Sequence, residues 1–246
     1  MKKIITLILS LLVIAAAFSG CSGSKKVLVV GTNAEFPPFE YINNNGEPDG
    51  FDMALIKELA DLAGIEIKIE NMEFKSIIAA VETGKVDIIA SGMTITDERK
   101  EKLDFTESYY TAVQKIILRK DDESIKGVDD LKGKKIGVQE GTTGDIIATD
   151  DIEDTTVERY KKGIDAVMDL KNKRVDCVLI DKNPAEEYVK ANVETVYAID
   201  SGCEPESYGF AVKKGNADLL NKLNAALKAA KASGKYDELV KEYISN

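Results

Sequence analysis

The feature that most constrains the fold is a strand–helix–strand pattern that runs through the chain twice. In its first occurrence, an apolar run at 27–30 precedes helical spacing over 52–63, with Gly64 as the stop signal. Strand-like alternation over 65–69 and helical spacing over 74–82 follow. Strands that alternate with helices predict a parallel sheet with helices on its faces, connected by right-handed crossovers.

The same pattern starts again in the middle of the chain. Its predicted segments are a strand within 131–138, a helix over 164–170, a strand over 175–180, a helix over 184–190 and a strand over 208–212. Asn216 is then predicted to cap a long helix and Gly234 to end it, and a last short helix reaches about Tyr243.

Two such units predict an α/β protein made of two lobes. The run 113–118 between them is strand-like and not rich in Pro or Gly, so we expect crossing strands rather than a flexible tether. The expected lobes are residues 27–112 together with 206–246, and residues 113–205. Because ligands bind beyond the carboxyl ends of strands in open α/β sheets, a ligand cleft is expected between the lobes, with the crossing strands as its hinge.

The N-terminus predicts export from the cell. The basic pair Lys2-Lys3 precedes an apolar run over 4–18, and small residues follow at Ser19-Gly20. This order is typical of a secretory signal, and the run is shorter than the roughly 20 residues that span a bilayer. We therefore expect residues 1–20 to be a signal peptide.

The residues at the expected cleavage point add a second prediction. The sequence Phe18-Ser-Gly-Cys21 resembles a bacterial lipobox, with Phe18 where Leu is usual. The resemblance implies that Cys21 carries the lipid and that residues 21–26 form an anchored linker at the extracellular face of the membrane or in the periplasm. The alternative is an ordinary cleaved signal in which Cys21 has no role.

Composition excludes several function classes. The net charge of −10 lacks the basic excess that binds phosphates, so we expect no nucleic-acid partner. The absence of histidine removes the commonest general base, the histidine-dependent nucleophile arrangements and most zinc sites. Beyond Cys21 only Cys177 and Cys203 occur, their spacing matches no metal motif, and two unpaired thiols are favoured over a disulfide. We expect no catalytic residue, no metal and no cofactor.

Polar and aromatic residues follow the predicted strands at their carboxyl ends. These segments are 33–39, 91–99 after a strand at 86–90, 139–144, and Asp181. Arg99 can grip a carboxylate with two parallel hydrogen bonds and Asp181 can match an ammonium, so the set suits a zwitterion. Loop amides can add donors, and two phenylalanines can form apolar walls; these residues are Gly92, Thr142, Thr143, Phe36 and Phe74.

Each candidate also has a purely structural interpretation. Arg99 lies in the charged run 97–102, which is typical of a solvated helix face. Asp181 precedes Asn183-Pro184 and could cap a helix instead. The remaining candidates are common core or loop residue types, namely Phe36, Phe74, Asn33 and Gln139.

The order of the segments resembles that of solute-binding proteins of polar amino-acid ABC transporters, known as family 3. The segments that carry the resemblance are 31–41, 50–52, 91–99, 130–133 with 138–143, and 208–214. Together they cover nearly all of the chain after the signal. The resemblance implies a periplasmic-binding-protein-like fold of type II, a free L-amino acid as ligand, an ABC importer permease as partner, a lipid anchor to the membrane, and a monomer.

The resemblance also implies roles for individual residues. Arg99 would bind the ligand carboxylate with help from Thr94 and Thr143, and Asp181 would bind the ammonium with the Gly92 carbonyl. The ligand side chain would lie between Phe36 and Phe74, and its tip would meet Asn33 and Gln139. Because the last two are neutral, a polar neutral amino acid is favoured, with arginine, lysine and cystine left open. A dehydratase of prephenate-like acids and an extracellular sensor domain are the alternative functions.

Overall fold

The structure is a computed structural model that describes residues 26–245. The predicted signal peptide and the predicted lipid attachment site, Cys21, lie outside these residues. Within the described part of the chain, no helix combines the length and the apolar character that crossing a membrane requires.

The described residues alternate strands with helices. The strands are β1 (Leu28–Thr32), β2 (Glu35–Phe36), β3 (Glu40–Ile42), β4 (Pro48–Asp49), β5 (Ile67–Asn71), β6 (Ile88–Ile89), β7 (Leu103–Phe105), β8 (Tyr110–Ala112), β9 (Gln114–Arg119), β10 (Lys135–Gln139), β11 (Thr156–Tyr160), β12 (Cys177–Asp181), β13 (Val196–Asp200), β14 (Glu206–Tyr208) and β15 (Ala211–Lys213). The α-helices are α1 (Phe51–Ala63), α2 (Phe74–Glu82), α3 (Asp97–Lys102), α4 (Thr143–Ile146), α5 (Gly163–Lys171), α6 (Lys182–Ala191), α7 (Ala217–Ser233) and α8 (Lys235–Tyr243).

The first lobe is built on a sheet with the order β5-β1-β6-β15-β7. β1 pairs in parallel with β5 and β6, and β15 runs antiparallel to β6 and β7. Helix α1 packs against α7. Their apolar residues recur at four-residue spacing, which gives each helix one buried stripe, and Leu55, Leu59, Leu223 and Leu227 are all buried there.

The second lobe is built on a sheet with the order β11-β10-β12-β9-β13. β10 pairs in parallel with β11 and β12, whereas β9 runs antiparallel to β12 and β13. One face of this sheet has its own core, which includes Ile116, Ile136, Val138 and Leu179. The carboxyl ends of β10 and β12 therefore place Gln139 and Asp181 at the same edge.

Two short strands connect the lobes. β8 and β14 pair antiparallel, with Tyr110 opposite Tyr208 and Ala112 opposite Glu206. The prediction of crossing strands is confirmed, but the prediction that 113–118 makes the crossing is wrong, because this run forms β9 inside the second sheet. Period-two alternation reveals a strand but not its pairing partner, so the sequence alone did not separate β8 from β9.

The predicted strand at 208–212 is also wrong, because the chain changes partner within it. β14 pairs with β8 in the hinge and β15 pairs with β6 and β7 in the first sheet. Gly209 lies at the change, where its N–H donates to the Met93 carbonyl at 3.1 Å. A Cβ at Gly209 would lie 2.9 Å from the Ile95 side chain, so this close approach needs a glycine.

The predicted helix ends are confirmed. α1 stops at Gly64, which has φ of 64° in the left-handed region. The Asn216 side chain accepts a hydrogen bond from the Leu219 N–H and begins α7, which Gly234 ends. Cys177 is buried in β12 and Cys203 is partly exposed, and neither is paired among the residues that the structure describes. Burial raises the pKa of the Cys177 thiol to about 12, so this thiol stays protonated.

Candidate ligand-binding cleft

A small cavity lies between the two lobes at the carboxyl ends of their strands. Its walls are Phe36, Phe74, Ser91, Gly92, Thr94 and Arg99 from the first lobe and Thr142, Thr143 and Asp181 from the second. Eight of the ten predicted site residues therefore line one cavity. Side chains of the two lobes bond to each other around it, so the cleft is closed.

Arg99 is the buried position of α3, and 5% of its surface is exposed. Its Nη1 donates to the Thr94 carbonyl at 2.8 Å, and its Nη2 donates to the Gly141 carbonyl of the second lobe at 3.0 Å. The guanidinium lies over the Phe74 ring at 5.7 Å from the centroid. Burial lowers the pKa of Arg99, although Glu206 and Asp181 oppose this shift. The interpretation of Arg99 as part of a solvated face is excluded.

Asp181 lies at the end of β12 and is 4% exposed. Its Oδ1 accepts a hydrogen bond from the Tyr208 hydroxyl at 2.7 Å. Burial, with a further contribution from the charge of Glu206, raises its pKa to about 7. Asp181 occupies the N-cap position of α6, but within residues 26–245 its side chain accepts no capping hydrogen bond. The capping interpretation therefore does not explain this carboxylate.

Two buried carboxylates hold the loop that carries Gly92. Asp52 Oδ2 accepts hydrogen bonds from the Gly92 N–H at 2.8 Å and from the Tyr109 hydroxyl at 2.6 Å. Glu40 Oε1 accepts from the Ser91 hydroxyl at 3.2 Å. Burial raises the pKa of Asp52 to about 7, and burial beside Asp52 raises the pKa of Glu40 well above its ordinary value. This pair is a positioning device that sequence analysis missed.

Gly92 itself has a conformation that other residues adopt rarely. Its φ is +49°, and a Cβ there would lie 3.3 Å from the Phe36 ring. The backbone at this point therefore approaches the cavity more closely than a larger residue would allow.

The other two predicted residues meet each other across the cleft. The Gln139 Nε2 donates to Asn33 Oδ1 at 2.8 Å, and the Asn33 Nδ2 donates to the Met72 carbonyl at 2.8 Å. Both side chains are buried. The Gln139 Oε1 has no donor among the described residues, which leaves one buried acceptor where the two lobes meet.

The comparisons with known proteins agree with this geometry. Residues 28–246 match the model of the bacterial extracellular solute-binding proteins, family 3. The chain belongs to this family. The expectation drawn from its segments is therefore confirmed, as is the two-lobe α/β fold.

Several known proteins are similar to this chain in sequence or structure. The arginine-binding extracellular protein ArtP of Bacillus subtilis is 36% identical over 231 residues, which cover 92% of this chain and 89% of ArtP. An ancestral arginine-binding protein bound to arginine is 40% identical with a TM-score of 0.83, covering 89% of this chain and 98% of the other. An ancestral arginine-binding protein bound to glutamine is 39% identical with a TM-score of 0.82, over the same shares.

Sequence analysis of this family 3 protein missed Glu206, which lies in the hinge strand β14 beside the cavity. The Glu206 Oε2 accepts hydrogen bonds from the Thr94 and Thr143 hydroxyls, both at 2.7 Å, and its Oε1 accepts from Gln114 Nε2 at 3.0 Å. The sequence does contain a signal for Glu206, because residues two positions apart on a strand point to the same side. Tyr208 faces the site, so Glu206 does too.

Three ion pairs join the lobes of this family 3 protein along the rim of the cleft. They connect Lys75 to Glu140 at 3.0 Å, Lys161 to Glu73 at 2.5 Å and Lys162 to Glu35 at 2.7 Å. In each pair one residue comes from the first lobe and one from the second. All three are solvent-accessible, so closure of the cleft carries an electrostatic contribution that salt can screen.

Proposed function

We propose that the protein captures a free L-amino acid outside the cell and delivers it to an ABC importer. The observation that supports this most is a buried guanidinium, that of Arg99, and a buried carboxylate, that of Asp181, on the walls of one cavity between two lobes. Opposite charges held apart in this way match the two charged groups of an amino acid. Membership of family 3 supports the same function.

The cleft supplies both ends of such a ligand. The Arg99 guanidinium pairs with the ligand carboxylate, and Asp181 pairs with the ammonium together with the Gly92 carbonyl. Closure excludes water, so both pairs act at a lower effective dielectric than in solution. The ligand favours the closed form because only that form brings Arg99 and Asp181 around it, and the closed form is what a permease can distinguish.

For the ligand side chain we propose arginine first and glutamine second. Relatives with these ligands support this, and so does the unpaired Gln139 Oε1, which suits a tip that carries N–H donors. The cavity walls and the adjacent Glu206 also supply two carboxylates against one guanidinium, an imbalance that a cationic ligand offsets. A polar neutral ligand, preferred from sequence, therefore becomes the second choice.

For the location we propose a lipid anchor at Cys21, on the extracellular face of the membrane or in the periplasm, and a monomeric state. A metabolic label for lipoprotein cysteines tests the anchor, because Cys21→Ser should abolish labelling. An unchanged label in Cys21→Ser would contradict it.

The function is tested with mature protein that has been unfolded and refolded to remove bound ligand. We expect arginine or glutamine at 100 times its Kd to add about 2.7 kcal/mol of stability in a thermal-shift screen of amino acids. Prephenate is incubated with the same protein in a separate assay, and formation of its dehydration product would support the dehydratase alternative. A flat response to every amino acid would overturn the proposal.

A further inference from the structure

We infer that Glu206 fixes the hydrogen-bond polarity of the cavity: the Thr94 and Thr143 hydroxyls donate to it, so toward a ligand they act only as acceptors, and Thr94 thereby selects ligands with a protonated α-amine. This inference rests on the proposed function and adds a specificity-determining residue to it. It comes from the position of one carboxylate between the lobes.

Glu206 contacts both lobes from the hinge. Its Oε2 accepts from the hydroxyl of Thr94, in the first lobe, and from the hydroxyl of Thr143, in the second, each at 2.7 Å. Its Oε1 accepts from Gln114 at 3.0 Å, and the same amide donates to the Thr143 hydroxyl at 3.2 Å. The carboxylate therefore accepts three hydrogen bonds, from donors that belong to both lobes.

The number of protons then decides what the threonines offer a ligand. A hydroxyl has one proton and two lone pairs. The proton of each hydroxyl is committed to Glu206, and a charged acceptor makes these bonds stronger than neutral ones. Only lone pairs remain for the cavity. The Thr94 hydroxyl therefore cannot also donate to a ligand carboxylate, which differs from the role that the family resemblance implies.

This arrangement divides the cavity into two ends. The carboxylate of the ligand takes its donors from Arg99 and from backbone N–H groups. The ammonium finds Asp181, the Gly92 carbonyl and the Thr94 hydroxyl, which are all acceptors. An analogue with a hydroxyl in place of the ammonium brings one proton where three are needed. It leaves buried acceptors unpaired, and sites of this kind discriminate strongly.

The test measures discrimination rather than affinity alone. The probes are L-arginine and argininic acid, in which a hydroxyl replaces the α-ammonium. Calorimetry measures both Kd values, and the ratio used below is the Kd of argininic acid divided by the Kd of L-arginine. L-Glutamine and its 2-hydroxy analogue replace them if glutamine binds more tightly. Both members of a pair share the carboxylate and the side chain, so the ratio reports only on the ammonium end.

Glu206→Gln and Glu206→Met form a matched series. The amide oxygen of Gln still accepts from both threonines, and its NH2 can donate to the Gln114 Oε1, which has no partner among the described residues. Met has a similar length and no acceptor for these hydroxyls. We expect the ratio to fall in Glu206→Gln through the lost charge and to fall at least tenfold further in Glu206→Met. Equal ratios in the two variants would overturn the inference.

Thr94→Val gives a second test with little change in side-chain size. If the Thr94 hydroxyl accepts from the ammonium, the variant weakens L-arginine and spares argininic acid, so the ratio falls. If that hydroxyl donates to the carboxylate, both ligands weaken equally and an unchanged ratio overturns the inference. Wild-type protein that binds no amino acid at all would instead overturn the proposed function.

Discussion

Asp181→Asn is expected to have opposite effects on the closing of the empty cleft and on ligand binding. In the closed cleft, burial and the charge of Glu206 raise the pKa of Asp181 from 3.8 to about 7, while Tyr208 donates to it. Opening hydrates the carboxylate and returns its pKa toward the ordinary value. Asn keeps an oxygen that can accept from Tyr208 but never ionises.

The direction and the magnitude of the pH effect on closure follow from proton linkage. The closed form binds more protons than the open form between pH 3.8 and about 7, so it loses free energy relative to the open form as the pH rises through this window. At 1.36 kcal/mol for each pKa unit, ionised Asp181 disfavours closure by about 4 kcal/mol at pH 8 and by less than half of that at pH 5. The wild-type equilibrium should therefore shift about 100-fold toward the open form between these pH values.

Small-angle X-ray scattering of the ligand-free protein measures this shift as an increase in the radius of gyration. We expect the increase in the wild type and a much flatter profile in Asp181→Asn. At pH 8 the variant should also bind the amino acid more weakly, because the ammonium loses its counter-charge. Wild-type binding near pH 7 should release protons, which calorimetry in buffers of different ionisation enthalpy detects. Identical pH profiles of the two proteins would refute the reasoning.

The other predictions concern the remaining charged groups. Arg99→Ala should weaken binding by at least ~3 kcal/mol, since it leaves the ligand carboxylate buried without its charged partner. Calorimetry checks this against Arg174→Ala, a surface control, and a loss below tenfold would contradict the role. Replacement of Lys75, Lys161 and Lys162 together by neutral residues should make the ligand affinity fall less steeply as the salt concentration rises. An unchanged slope would show that the rim ion pairs do not favour closure. Asp52→Asn should raise the free energy of unfolding at pH 8 and leave it nearly unchanged at pH 4, because the raised pKa of Asp52 makes its ionisation unfavourable in the fold. Denaturant titrations at the two pH values measure this, and an equal change at both would contradict it.

Much of the fold was predictable because it depends on local patterns. The helix over 74–82 has the predicted bounds, and Gly64, Asn216 and Gly234 end or begin helices as their chemistry requires. Strand pairing was less accessible. The change of partner at Gly209 depends on the close approach of Ile95, which is distant in sequence, and no local pattern reveals it.

The residues of the candidate site also differ in how well the sequence alone predicts them. Arg99 and Asp181 are charged residues just beyond predicted strands, and this position suffices to place them at one edge. Glu40 and Asp52 were not predictable, since each bonds a loop about 40 to 50 residues away and their positions carry no periodic signal. Glu206 was partly predictable from its alternation with Tyr208, but its contacts with Thr94 and Thr143 need both lobes in place.

The hydrogen bond between Tyr208 and Asp181 gives the protein a built-in optical reporter. The chain contains nine tyrosines and no tryptophan, so its near-ultraviolet emission comes from phenol rings alone. A carboxylate that accepts from a phenol quenches that phenol, and an ammonium that engages Asp181 changes how strongly it accepts. Occupancy of the cleft is therefore readable from the intrinsic fluorescence of the unlabelled protein, with Tyr208→Phe as the silent reference.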